Sequence, residues 1–238
     1  MNTFKNIKAL TFDVFGTVVD WRSSIAREVS IMGAKKKFTL DWNSFADEWR
    51  NGYVPSMNKV RTGEIEWQNL DSLHRKILDN LLEKHNVKTL TEEEKEYLNK
   101  SWHRLDPWND SVEGLTKLKK SFIITTLSNG NVSLLLNMAK YAHLPWDMIL
   151  SAELVRRYKP DPETYMSASI LLDIPINEIM MVAAHKKDLA NAKSLGMLTA
   201  YVPRPLEHGS KTQSNLNPEE YIDITATDFV DLNNQLII

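Results

Sequence analysis

The chain has no cysteine among its 238 residues. That excludes disulfides, thiolate metal sites and cysteine nucleophiles. It also lacks any apolar run near the ~20 residues that a membrane helix needs, so no membrane partner is expected. Charge of one sign is not in excess: the formal net charge is -2 and the pI about 6.3, which gives nucleic acid no basic field to follow. Residues 1–10 carry two lysines with no long apolar run behind them, so no signal peptide is expected, and a cytoplasmic compartment is the reading that follows. What remains is ordinary for a folded protein, 42% hydrophobic and 25% charged. The length suits one large domain or two small ones, with a full core.

Three short apolar or β-branched runs read as buried strands: IKALTF (7–12), FIITTLS (122–128) and IMMVAA (179–184). The second and third lead into helix patterns, and the latter of these ends at Gly196, a C-cap signal. LTAYV (198–202) reads as a further strand and MILSAE (148–153) as one more. This alternation predicts an α/β fold, a Rossmann-like parallel sheet with helices on both faces. Residues 22 to about 103 are different, being rich in Trp, Leu, Lys and Glu at helical spacing. TLTEEE marks a helix start there, with Thr91 as N-cap and Glu94 at the capping-box position. The expected division is a core of residues 1–18 and 104–238 with a helical cap, 19–103, inserted into it. DPWNDSV (106–112) reads as the return linker and PRPLEHGSKTQSNLNP (203–218) as a loop.

Ligands of open α/β sheets bind beyond the carboxyl ends of the strands. Asp13 stands at such an end, in TFDVFGTVVDW, where a buried carboxylate must be paired or neutralised. Gly16 offers a sharp turn. The backbone N–H groups of Val14 and Phe15 offer an anion site. Asp13 could equally be a turn cap. Ser128 and Asn129 end the second strand and read equally as N-caps. Lys159, fixed before Pro160, is either a solvated charge or a counter-charge for Asp13. Tyr165 follows near the start of a helix. His185 ends the third strand, and Asp188 lies in the first helical turn after it, where the helix dipole alone would favour an acid.

Together these segments resemble the motif series of the haloacid dehalogenase-like (HAD) hydrolases: DVFGT, TTLSNG, YKP and VAAHKKD, with a helical insertion after the first. The resemblance runs from about Ile7 to Tyr201 and implies the HAD fold, with Asp13 as nucleophile. Phosphatases of that superfamily carry a second Asp where this chain has Phe15 and an acidic metal ligand where it has Ala184. Asp13 and Asp188 alone make a poor Mg²⁺ site, so neither metal nor cofactor is expected. The pattern is similar to the type II (S)-2-haloacid dehalogenases, and FADEWRNGY (45–53) resembles their cap segment, with Arg50 at the active-site arginine. Arg61 and Arg75 read as solvated or structural.

The resemblance implies the following roles. Asp13 attacks the halogen-bearing carbon to form an ester. Val14, Phe15 and Ser128 hold the substrate carboxylate, and Arg50 and Asn129 face the halide. Thr17 and Lys159 orient Asp13 and offset its charge, and Tyr165 supports the network. Asp188 positions or deprotonates the hydrolytic water. The familiar type II enzymes have Ser, Ser and Asn where this chain has Ala183, Ala184 and His185. His185 then either joins the water step or fills the Asn position as a hydrogen-bond partner. The VAAH form resembles a branch in which some members act on fluoroacetate. Of the tryptophans in the inserted block, most read as its core, with one or two beside Arg50 able to wall the halide pocket. The implied partner is a small 2-haloacid. Dimerisation is common in the family, and apolar cap helices are compatible with a homodimer. Two competing readings remain at this point: a phosphatase with a degraded Mg²⁺ site, and a non-catalytic protein that binds a small carboxylate.

Overall fold

The computed structural model describes residues 4–209 and 219–237. The chain opens with β1 (Ala9–Phe12) and β2 (Val19–Asp20) and then runs through α1 (Trp21–Lys36), α2 (Trp42–Asn51), α3 (Tyr53–Arg61), α4 (Leu70–Lys84) and α5 (Glu92–Asn99). It returns through β3 (Asp106–Pro107) to α6 (Ser111–Leu118), β4 (Ile123–Thr126), α7 (Val132–Tyr141), α8 (Pro162–Leu172) and β5 (Ile179–Ala183). The last elements are α9 (Lys186–Ser194), β6 (Leu198–Tyr201), β7 (Ile224–Thr225) and α10 (Phe229–Leu236).

The main sheet has the order β4-β1-β5-β6-β7, and its recorded pairings are all parallel. Strands buried on both faces read as continuous apolar runs because each face needs its own apolar set. That division is visible here. Leu10, Phe12, Met180 and Val182 join one core cluster, and Ala9, Ile179, Met181 and Ala183 the other. The register sets Phe12 level with Thr126 on one side and Val182 on the other, so the chain leaves three strands at one height.

The helical block is inserted through a two-stranded antiparallel ribbon, with Val19 opposite Pro107 and Asp20 opposite Asp106. Asp20 also caps α1 by accepting from Ser23 N, so the residue that ends the ribbon starts the first cap helix. Thr91 and Glu94 form the expected capping box at the start of α5. Cap helices bury one stripe each, as in α4, where Leu70, Leu73, Ile77, Leu78, Leu81 and Leu82 are inside. Trp21, Trp49 and Trp102 are fully buried. Among the described residues no helix is long and apolar enough to cross a membrane.

Two details differ from the sequence reading. Residues 148–153 make only isolated bridges, Thr125 to Met148 and Ser128 to Ser151, before a short 3₁₀ turn at Ala152–Leu154. The Thr125 and Thr126 hydroxyls bond to Met148 O and Leu150 O, both at 2.7 Å, so side chains take part of the work of a ladder. β7 was not expected, because two residues carry no detectable alternation. The loop 203–218 is described only to Gly209; the rest lies outside the described residues.

The described part of that loop is tied to the core by Arg204. Its Nε donates to Thr17 O at 2.8 Å, and its two terminal nitrogens donate to Asp110 at 2.7 and 2.9 Å. A buried bidentate pair broken on one side leaves the other charge uncompensated. Arg204→Met should therefore lower the unfolding free energy by ~3 kcal/mol in urea titration. An unchanged midpoint would show that the pair does not hold the loop.

Candidate active site

The level strand ends bring the chemistry together. Asp13 follows β1, Ser128 follows β4, and His185 and Asp188 lie at the start of α9 after β5. Asp13 does not cap the following segment. Its Oδ2 accepts from Thr17 Oγ1 at 2.7 Å and faces His185 Nδ1 at 2.8 Å, while its Oδ1 faces the Lys159 ammonium at 3.5 Å. Thr17 Oγ1 accepts from Ala184 N at 2.9 Å, which leaves the hydroxyl proton for Asp13. Gly16 turns at φ +83, a conformation that disfavours any residue with a Cβ.

Lys159 bridges two carboxylates, with Nζ 2.6 Å from Asp188 Oδ2. The other oxygen of Asp188 accepts from Tyr165 OH at 2.6 Å. Lys159 is set by its backbone, since its N–H donates to Asn129 Oδ1 at 2.7 Å. Burial alone would raise the Asp13 pKa. The charges of Lys159 and His185 and the bonds from His185 and Thr17 outweigh it and hold the carboxyl well below its usual range. Burial opposes a charged Lys159, but Asp188 and Asp13 keep its pKa raised. The Tyr165 hydroxyl is pushed up by burial and by Asp188, so it stays a donor.

The sequence allows His185 two roles, and its contacts distinguish them. It faces Asp13 on one ring nitrogen and Glu207 on the other, with Nε2 at 3.0 and 3.1 Å from the two Glu207 oxygens. Burial would lower its pKa, yet the hydrogen bonds to the two carboxylates raise it to about 10. Glu207 went unread in the sequence, as an acid in a loop far along the chain from any motif.

Ser128 is fully buried and its Oγ accepts from Gly130 N at 3.2 Å. It is not an N-cap, because α7 begins after Asn131. Val14 and Phe15 lie in the turn after Asp13, whose bonds run from Gly16 N to Val19 O and from Val18 N to Val14 O.

From the cap, Arg50 stands over three aromatic rings: its guanidinium carbon is 4.2 Å from the Tyr53 centroid, 5.7 Å from Trp21 and 6.0 Å from Phe15. Among the described residues no carboxylate pairs with it, whereas Arg61 bonds to Asp161 and Arg75 to Asp79 and Glu92. The sequence could not separate these three arginines; their partners do. Near Arg50, His74 is buried and held neutral, with a pKa of about 3, chiefly by desolvation. Its ring stacks on Trp102 at 4.3 Å. Neither ring nitrogen of His74 nor Trp102 Nε1 has a hydrogen-bond partner among the described residues. Tyr53 closes the FADEWRNGY segment three residues after Arg50 and opens α3, so its signal lay within the cap resemblance.

A Mg²⁺ ion does not fit these donors. The space between Asp13 and Asp188 is taken by an ammonium group, and both Asp188 oxygens already accept hydrogen bonds. Phe15 and Ala184 supply no oxygen ligand from a side chain. What the arrangement offers is an ionised carboxylate with one oxygen fixed by two donors and the other turned toward a cation.

The family model for haloacid dehalogenase-like hydrolases matches residues 7–196. The chain is similar to the crystal structure of a defluorinating L-2-haloacid dehalogenase, at 44% identity and TM-score 0.95, over 98% of this chain and 96% of that one. A second L-2-haloacid dehalogenase structure is 43% identical with TM-score 0.91, over 97% and 99%. (S)-2-haloacid dehalogenase 4A of Burkholderia cepacia is 27% identical over 241 residues, 90% of this chain and 94% of that protein.

The raised pKa of His185 links the site to stability. Its contribution is full below ~pH 6.5, the unfolded value. It is lost as pH rises through about 10. The depressed pKa of Asp13 acts in the other direction, contributing above ~pH 4 and fading only in stronger acid. The unfolding free energy of the wild type should therefore fall more steeply between pH 7 and pH 10 than that of His185→Asn. Urea titrations at both ends measure this, and parallel declines would refute it.

Proposed function

The chain belongs to the haloacid dehalogenase-like hydrolases, and on that premise we propose that it hydrolyses short (S)-2-haloalkanoic acids to 2-hydroxy acids and halide, through an ester on Asp13 and without a metal ion. The L-2-haloacid dehalogenase relatives support the reaction class. The observation that carries the reading on this chain is Arg50, a cap guanidinium without a carboxylate partner among the described residues, close to Phe15 in the first motif. Phe15 stands where a phosphatase would need a second acid. A halide leaves as a stable anion and needs no general acid. It needs donors in a water-poor pocket instead.

In this reading residues 19–103 act as a cap over the 1–18 and 104–238 core. Asp13 Oδ1 attacks the halogen-bearing carbon with inversion, because Oδ2 is held by two donors. Val14 and Phe15 N–H groups, with Ser128, hold the substrate carboxylate. Arg50 and Asn129 meet the departing halide, and the ring N–H groups of Trp102 and His74, unpaired among the described residues, lie within the same aromatic surround. Lys159 offsets the charge of Asp13, with Thr17 and Tyr165 as supports. Asp188 orients Lys159 and takes the proton of the hydrolytic water.

The deciding assay is halide release from (S)-2-chloropropionate with a chelator present, with (R)-lactate as product. Mg²⁺-dependent phosphate release, with no halide from any 2-haloacid, would overturn the proposal. Asp13→Asn should lose ~10⁴-fold or more in kcat, and Arg50→Ala ~10²-fold. One turnover in ¹⁸O-water should place label in Asp13 and none in the product; label in the product would mean direct attack by water. Fluoroacetate extends the test. Donors around Arg50 and the defluorinating relative both support fluoride release.

A further inference from the structure

Glu207 is a buried carboxylate outside the segments implied by motif resemblance, yet it packs against two of them, at Gly16 and at His185. Its side chain is 7% exposed. Its Oε1 accepts from Trp21 Nε1 at 3.0 Å, and its two oxygens lie 3.0 and 3.1 Å from His185 Nε2. Gly16 makes the room for it, since a Cβ at that position would fall 2.0 Å from Glu207 Oε1. Arg204, three residues earlier, fixes the loop to Thr17 O. The placement is built, and its target is the ring next to the nucleophile.

A neutral imidazole has one N–H; a ring that meets a carboxylate at hydrogen-bond distance on both nitrogens donates from both only as imidazolium. Lys186, Lys187, Arg204 and His208 line the same recess. Lys186 reaches Glu219 and Arg204 is bound to Asp110. His208 lies 3.9 Å from Glu207, and Lys159 and Asp188 pair on the far side of Asp13.

We propose that Glu207 is a positioning residue that keeps His185 protonated after Asp13 has become an ester, so that His185 Nδ1–H and Thr17 Oγ–H form an oxyanion pocket around Oδ2 of Asp13. The proposal rests on the dehalogenase reading above and deepens its second half. In the first half, Asp13 Oδ1 forms a bond to carbon and the halide leaves with the bonding pair. Oδ2 becomes the ester carbonyl oxygen. Water then bonds to Cγ, the carbonyl π pair moves onto Oδ2, and the water proton passes to Asp188. Two donors already stand 2.7 and 2.8 Å from that oxygen, the distances an oxyanion needs. Collapse breaks the Cγ–Oδ1 bond, the departing alkoxide takes the proton from Asp188, and the acid proton left on Asp13 goes to solvent. His185 is a proton donor to a hydrogen bond throughout and is never deprotonated. The one proton released per turnover therefore appears with ester hydrolysis, not with halide.

Without Glu207, esterification removes the last carboxylate facing His185, and burial then holds the ring's pKa below its ordinary value. The test is single turnover of (S)-2-chloropropionate in weak buffer, following halide, a pH indicator and the mass of the Asp13 ester. In the wild type, proton release should lag halide and match loss of the ester. In Glu207→Gln, hydrolysis should slow by ~30-fold or more at pH 8, with ester accumulating, and the deficit should shrink steeply toward pH 6. His185→Asn supplies a neutral donor, so its ester hydrolysis should be slow and flat over the same range. Proton release in step with halide would overturn the proposal, as would a Glu207→Gln loss of equal size at both pH values. A urea titration of Glu207→Gln separates such a uniform loss due to unfolding from one in a folded enzyme. Absence of any wild-type ester would instead be failure of the dehalogenase reading itself.

Discussion

A carboxylate that is buried and yet ionised is the constraint from which the rest of this structure follows. Burial favours the neutral acid, and a neutral carboxyl is a poor nucleophile and a poor partner for a cation. Three donors of different kinds reverse the preference: an ammonium, an imidazolium and a hydroxyl. Each needs its own support. Lys159 is fixed by Asn129 and by Asp188. Thr17 is turned by Ala184 N–H, and His185 is held by Glu207. The level ends of β1, β4 and β5 place these supports around one point, and the parallel sheet exists in a form that allows it.

Much of this was legible from the sequence because the signals are local. A strand of four buried residues ends at Asp13. A lysine stands before proline, and an acid lies in the first turn of a helix. The α/β core and the helical insertion also followed from periodicity alone, since strands with two apolar faces and helices with one stripe have different spacing. The resemblance to haloacid dehalogenase-like hydrolases added the family, which the matching family model bears out.

What the sequence hid is what depends on contact. Arg50, Arg61 and Arg75 are alike as letters; only the structure gives the last two a carboxylate and the first a set of rings. His185 invited a choice between base and hydrogen-bond filler, and that choice turns on Glu207, which no spacing rule connects to it. Residues 148–153 looked like a strand because their composition is right, but the neighbouring threonine hydroxyls occupy carbonyls there. Local pattern records what a segment prefers and not what faces it.

Gly16 and Glu207 have a consequence for how this site can vary. The carboxylate fills the place where a side chain at position 16 would begin. The two positions are therefore a single steric unit, although the fold separates them by nearly the whole chain. A larger residue at 16 would meet both the left-handed turn at φ +83 and the Glu207 carboxylate, and only the second can move aside. Removing the Glu207 carboxylate would therefore clear the space at 16 and still leave the turn's own demand for glycine in place.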